Sequence, residues 1–202
     1  MEDFLDKVYA NNSDDTRIHY PKWSKTYDHE FSKKSYVTPA RTAKALASNV
    51  KEMTTLVLDY GCVNGLSRVA LREIGLNTVD GIDVSKETVA FPNNKKAYQT
   101  LRVFDPNACP PIKTGEIDII AAIVVNRICA ACVSVFDTII ILLVRGGIFA
   151  FSFNDHALAD PAVETKVSDY VDTRKAKLIL SEYSDHMPRA GLKSNIYILE
   201  IS

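Results

Sequence analysis

The segment Val57-Leu-Asp59-Tyr-Gly61-Cys-Val-Asn-Gly65 constrains the fold of this chain more than any other. A short apolar run ends in two glycines four positions apart, and Leu66, Val69, Ala70, Leu71 and Ile74 follow at helical spacing until Gly75 stops them. That order is strand, glycine turn, helix and C-terminal glycine. All eight glycines lie at or beyond Gly61, so the residue tolerated at positive φ enters the chain abruptly at this turn. Glycines here let a backbone approach a ligand closely, and the exposed N–H groups of the helix start favour its negative group.

The pattern then repeats. Thr78 to Asp83 is expected to be a second strand, with Ser85 capping a helix that starts near Lys86 and is cut short by Pro92. Gln99 to Phe104 alternates like a third strand, and Ile117 to Val125 is apolar on both faces, as a buried parallel strand should be. The spacing predicts a buried helix over Val133 to Val144 ended by Arg145-Gly146-Gly147, then a fifth strand over Ile148 to Phe153. A helix from Pro161 to about Lys175 precedes two strands, Lys177 to Tyr183 and Asn195 to Ile201. Upstream, Thr38 opens a helix with Pro39 at its first position.

Strands alternating with helices predict an α/β, doubly wound, Rossmann-like fold. Its mostly parallel seven-stranded sheet would carry helices on both faces, an antiparallel C-terminal edge strand, and a ligand cleft at the carboxyl ends of the strands. One domain is expected, with residues 1–50 as a helical cap and 51–202 as the core.

The formal net charge of -1 offers no basic footprint for nucleic acid. The apolar runs Ile119 to Val125 and Ile139 to Val144 are too short to span a bilayer, which needs about 20 residues. The first thirty residues carry charges throughout and show no secretory signal, and the four cysteines lack framework spacing. A reducing cytoplasmic setting is therefore expected. Cys129-Ala-Ala-Cys132 has redox or half-zinc spacing but no second pair, so cysteines on a buried helix are the reading kept. No metal site is expected.

The ligand class follows from which glycines are present. A dinucleotide fingerprint needs glycine at three positions, and here Val63 and Leu66 hold the second and third, which disfavours NAD or FAD. Asp83, at the end of the second strand and 22 positions after Gly61, is placed to accept hydrogen bonds from a ribose diol. The D-x-G-x-x-x-G run from Asp59 to Gly65 resembles motif I of the class I S-adenosylmethionine-dependent methyltransferases. The resemblance extends through Val79-Asp-Gly-Ile-Asp83-Val-Ser85, the Ile117-Asp118 strand, Arg145-Gly-Gly147 and the closing Leu192 to Glu200. Trp23, Tyr27-Asp28 and Tyr36 to Pro39 are similar to the segment that covers the cofactor in small bacterial members.

The resemblance implies S-adenosyl-L-methionine as cofactor and a role for each matching position. Asp59 and the Gly61, Cys62, Val63 and Gly65 backbone would hold its methionine end. Asp83 would take the ribose hydroxyls, with Val84 beside the adenine. Phe104 and Asp105 would meet the adenine face and its amino group, while Ala122 and Ile123 would sit near the transferable methyl. Tyr20, Trp23 and Tyr27 would close over the top. The implied activity is methyl transfer to a small-molecule acceptor, without nucleic-acid or membrane partners. Asp155, His156, His29 and His186 are candidate bases without diagnostic spacing, and none is assigned. Val63 stands where the family usually has glycine or alanine, and it motivates the alternative of a non-catalytic, cofactor-binding member of the fold.

Overall fold

A computed structural model describes residues 31, 33–63, 65–86, 98–105, 108–123 and 132–202. Its elements are α1 (Thr38–Ala47), β1 (Val57–Tyr60), α2 (Leu66–Glu73), β2 (Val79–Asp83), β3 (Leu101–Val103), β4 (Ile117–Ala122), α3 (Cys132–Leu142), β5 (Leu143–Asn154), α4 (Asp155–Leu158), α5 (Pro161–Asp172), β6 (Ala176–Met187) and β7 (Leu192–Ile201). A 3-10 turn over Pro188–Ala190 joins the last two strands. The expected helix near Lys86 and the Cys129 end of the cysteine pair lie outside the described residues.

The seven strands form one sheet in the order β3-β2-β1-β4-β5-β7-β6. Neighbours from β3 to β5 pair in parallel, and β7 runs antiparallel to both β5 and β6. This is the mostly parallel, doubly wound sheet expected from the sequence. The C-terminal strand is the antiparallel one, but it lies one place in from the edge. β6 arrives by the α5 crossover parallel to β5 and leaves a gap, and the short turn sends β7 back through it, where it gains a ladder on each side.

Strand alternation sorts the core onto two faces. Leu58, Tyr60, Ile120, Phe149, Phe151 and Tyr197 pack with Phe136 and Ile139 of α3 and Val167 of α5. Val57, Ile119, Ala121, Ala150 and Ile198 pack with Ala43 and Leu46 of α1 and Ala70 and Leu71 of α2. The α1 stripe follows from its sequence, since Thr38, Thr42 and Leu46, with Pro39 and Ala43, recur at helical spacing and are all buried.

The Gly146–Gly147 pair does not end a helix as expected. α3 stops at Leu142, and the carbonyls of Ile141 and Leu142 accept the N–H groups of Gly115 and Glu116 at 2.9 and 3.0 Å. With those acceptors satisfied, Leu143 enters the sheet opposite Ile117 at once. The glycines then form an irregularity inside β5, where the register against β4 shifts between Ile117 and Ile119. Gly146 has φ +77°, and a Cβ on Gly147 would lie 2.8 Å from the Val144 carbonyl oxygen.

Candidate functional site

The carboxyl ends of β1 to β4 bring together every described residue expected at the site. Asp59 lies opposite Gly81 and Ala121, Tyr60 opposite Ile82, and Asp83 opposite Val103. Phe104 and Asp105 follow β3 directly, and Ile123 follows β4. Tyr20, Trp23 and Tyr27 lie outside the described residues, as does His29.

The glycine turn is held to β2 by main-chain bonds. Gly61 and Cys62 both donate to the Ile82 carbonyl, at 2.9 and 3.1 Å, and Gly65 donates to Cys62 at 2.9 Å. Gly61 and Gly65 have φ of +74° and +86°, which glycine adopts without steric cost. Val63 also takes a left-handed φ, +39°, unfavourable for a β-branched residue. Two contacts hold it there. Its N–H donates to Asp83 Oδ2 at 2.9 Å, and its side chain packs on the buried pair Phe31 and Met187.

Asp83 is nearly buried. Its Oδ1 accepts from the Ser85 N–H at 2.8 Å and its Oδ2 from the Val63 N–H at 2.9 Å, and the Val84 amide also faces the carboxyl, so three amides meet four lone pairs and room is left for a hydroxyl donor. Burial pushes its carboxyl above the usual range, and these amides oppose the shift.

Asp59 is fully buried, 0% exposed. Oδ2 accepts both the Ser67 hydroxyl of α2, at 2.5 Å, and the Tyr98 hydroxyl, at 2.7 Å. Oδ1 has no partner. Burial is the main cause that raises this carboxyl to about 6; the Ser67 and Tyr98 bonds oppose it, the Asp83 charge adds to it, and Arg68 offsets part of it. A bare buried carboxylate oxygen beside a backbone turn is an acceptor still waiting for a donor, and in that respect the residues fit a cofactor with a cationic end. Burial and the two carboxylates push the Cys62 thiol well above its ordinary range, so it is no thiolate nucleophile.

On the opposite face of β1, Tyr60 meets the half-buried Phe104 edge to face, with ring centroids 5.7 Å apart. Val84 is half-buried and Asp105 exposed, whereas Ala122 and Ile123 are buried, 5% and 4% exposed. A surface depression beside α5, lined by Glu164, Val167, Leu178 and Tyr197 among others, includes none of these residues.

Of the candidate bases, His186 is a structural residue. It is 1% exposed, bonded through Nδ1 to Thr38 Oγ1 at 2.8 Å, and edge-on to Tyr36. Burial lowers its imidazole to about 4. Asp155 accepts from Tyr183 Oη at 2.6 Å and the Lys193 N–H at 2.8 Å, and His156 is exposed. Sequence reasoning missed Ser67 and Tyr98. Ser67 carried a signal, a hydroxyl on the inward stripe of α2; Tyr98, 39 positions from Asp59, carried none.

The fold and the turn together define a doubly wound domain built for a nucleoside-containing ligand. A family model described as a methyltransferase domain matches residues 58–151. Over 73 residues the chain is 36% identical to the ribosomal protein L11 methyltransferase of Burkholderia ambifaria, a stretch that is 35% of this chain and 23% of that protein. The match thus spans about a quarter of the curated relative's length. Among solved structures, the magnesium protoporphyrin IX methyltransferase of Synechocystis PCC 6803 with bound S-adenosylmethionine aligns with TM-score 0.65 and 16% identity, over 95% of this chain and all of that one. A chain from the complex of the Haloferax volcanii Trm112 methyltransferase activator with a methyltransferase aligns with TM-score 0.67 and 14% identity, over 93% and 97% of the two chains. At those identities the structures speak for the fold. Residues 58–151 thus match a methyltransferase domain, and the sheet has the fold of methyltransferases whose cofactor is S-adenosyl-L-methionine.

Proposed function

We propose that this protein transfers a methyl group from S-adenosylmethionine to a small-molecule acceptor. The observation that carries the reading is the pair of carboxylates at the glycine turn, Asp83 with capacity left for a hydroxyl donor and Asp59 with a bare Oδ1. Asp83 binds the ribose hydroxyls, and Asp59 with the Gly61 to Gly65 backbone takes the methionine end. Val84, Phe104 and Asp105 line the adenine side, and Ala122 and Ile123 lie under the reacting end. Within residues 1–50, α1 packs on the sheet of residues 51–202, and Tyr20, Trp23 and Tyr27, outside the described residues, are the residues proposed to close the site.

When bound, the cofactor supplies an already activated methyl group, so the chain's tasks are alignment and exclusion of water. The buried ends of β4 and the Tyr60–Phe104 pair provide an apolar floor for that. No base is assigned. The alternative, a member of the fold that has lost catalysis, rests on Val63. Its left-handed φ and its packing on Phe31 and Met187 support an accommodated residue and thus an intact turn.

No helix among the described residues is long and apolar enough to cross a membrane. A cytoplasmic enzyme without nucleic-acid or membrane partners is the reading kept. A small-molecule acceptor agrees with the near-neutral charge. Calorimetric titration with S-adenosylmethionine tests the proposal: saturable heat at micromolar cofactor is expected, and no heat up to millimolar cofactor overturns it.

A further inference from the structure

We propose that Tyr98 and Ser67 are positioning residues that hold the Asp59 carboxylate by Oδ2 alone, so that Oδ1 is kept as the acceptor for the cationic methionine end of the cofactor. This rests on the S-adenosylmethionine reading above and deepens it.

Both hydroxyls converge on one oxygen, at 2.5 and 2.7 Å, although the other oxygen is buried too and has no partner among the described residues. A carboxylate that served only to knit β1 to α2 and to the chain entering β3 would gain more by placing one donor on each oxygen. Concentrating both on Oδ2 fixes the carboxylate plane and leaves Oδ1 as its one buried, unpartnered acceptor. The two donors come from elements locked by packing. Ser67 lies on the buried face of α2, and the Tyr98 ring stands 3.0 Å from where a Cβ on Gly81 would be. Gly81 thus makes room for the ring that carries the hydroxyl.

The groups that face Asp59 are Ser67, Arg68, Tyr98, Cys62 and Asp83. Without a cation beside it, burial raises the Asp59 carboxyl to about 6, so it holds a proton half the time near that pH. Cofactor binding replaces that proton. The neutral carboxylic acid becomes a carboxylate paired with the bound ammonium, and the proton goes to buffer. Tyr98 and Ser67 favour the ionised form, so they make this exchange easier at neutral pH.

The test is calorimetric titration with S-adenosylmethionine from pH 5 to 8 in two buffers of different ionisation enthalpy, on the wild type, Tyr98→Phe and Ser67→Ala. The wild type is expected to release about half a proton per cofactor near pH 6 and almost none at pH 8. Each variant, having lost a donor, should release protons over a window moved to higher pH and bind about tenfold more weakly at pH 7. If Tyr98→Phe does not fold, Ser67→Ala gives the same readout without touching the packing under Gly81. Variants that bind with the wild-type affinity and release protons over the wild-type window overturn the positioning role while leaving the methyltransferase reading intact. A wild type that gives no heat overturns both.

Discussion

Two buried polar clusters sit at the carboxyl end of the sheet, and they differ in what they leave open. At the glycine turn, Asp59 keeps a bare oxygen among the described residues and Asp83 keeps capacity for a further donor. Where α1 meets the β6–β7 hairpin, the groups answer one another. Thr38 Oγ1 bonds to His186 Nδ1 and to Ser194 Oγ at 2.8 and 2.9 Å, and the Val37 N–H donates to the His186 carbonyl. The Arg41 guanidinium donates to Ser194 Oγ, the Asp185 carbonyl and both the carbonyl and carboxylate of Glu182. The difference separates an anchor from the proposed binding site. Burial without a partner costs stability and persists where a ligand uses the group, whereas burial with partners holds two parts of a chain together.

The two clusters also respond to pH in opposite directions. Asp59 is raised from 3.8 to about 6, so between those values the folded chain holds a proton the unfolded chain has lost, and stability falls as pH rises. His186 is lowered from 6.5 to about 4, so there the unfolded chain holds the extra proton and stability rises with pH. Each shift is worth about 3 kcal/mol. Denaturant unfolding of Asp59→Asn should therefore show stability climbing by up to about 3 kcal/mol from pH 4 to 6.5, softened by Asp83, which is raised in the same direction as Asp59. In His186→Gln it should fall over pH 4 to 6 by at least that amount. Slopes of the same sign in the two variants would break the comparison.

Removing the anchor should come next in size. Arg41→Ala removes one donor from the Ser194 hydroxyl, which keeps Thr38, and donors from two carbonyls on the exposed side of the hairpin, at a cost of about 1 kcal/mol and a melting temperature lower by about 2–4 °C. An unchanged melting temperature would mean that the α1 contact rests on packing alone. Val63→Gly should lie within about 1 kcal/mol of wild type, because relief of the left-handed φ offsets the lost packing on Phe31 and Met187. A loss above about 3 kcal/mol would show that packing dominates. Thr42→Val should be the smallest effect, neutral or stabilising by up to about 1 kcal/mol, since the buried Thr42 hydroxyl has no partner to lose.

The sequence made one of these regions legible and hid the other. From Val57 to Asp83 the signals are local: a strand, glycines at the turn, a helical stripe and an acid at the next strand end, all within 27 residues. The anchor joins Thr38 to residues 148 and 156 positions away, a distance at which no periodicity or spacing survives. His186 looked like any histidine until β6 and β7 carried it under Tyr36. The Gly146–Gly147 pair misled for a related reason. A glycine pair after a helix-length apolar run looks like a helix end, and only the carbonyl acceptors taken up by Gly115 and Glu116 show that α3 is already finished at Leu142.

The central claim is that the open cluster, with Asp83 at the end of β2, is the cofactor site. Its most direct test is the affinity of Asp83→Ala for S-adenosylmethionine against that of the wild type at pH 8, where Asp59 is ionised in both. The account predicts binding weaker by about 10- to 100-fold with the fold retained, as loss of hydrogen bonds to a charged group requires. An affinity equal to that of the wild type would contradict it.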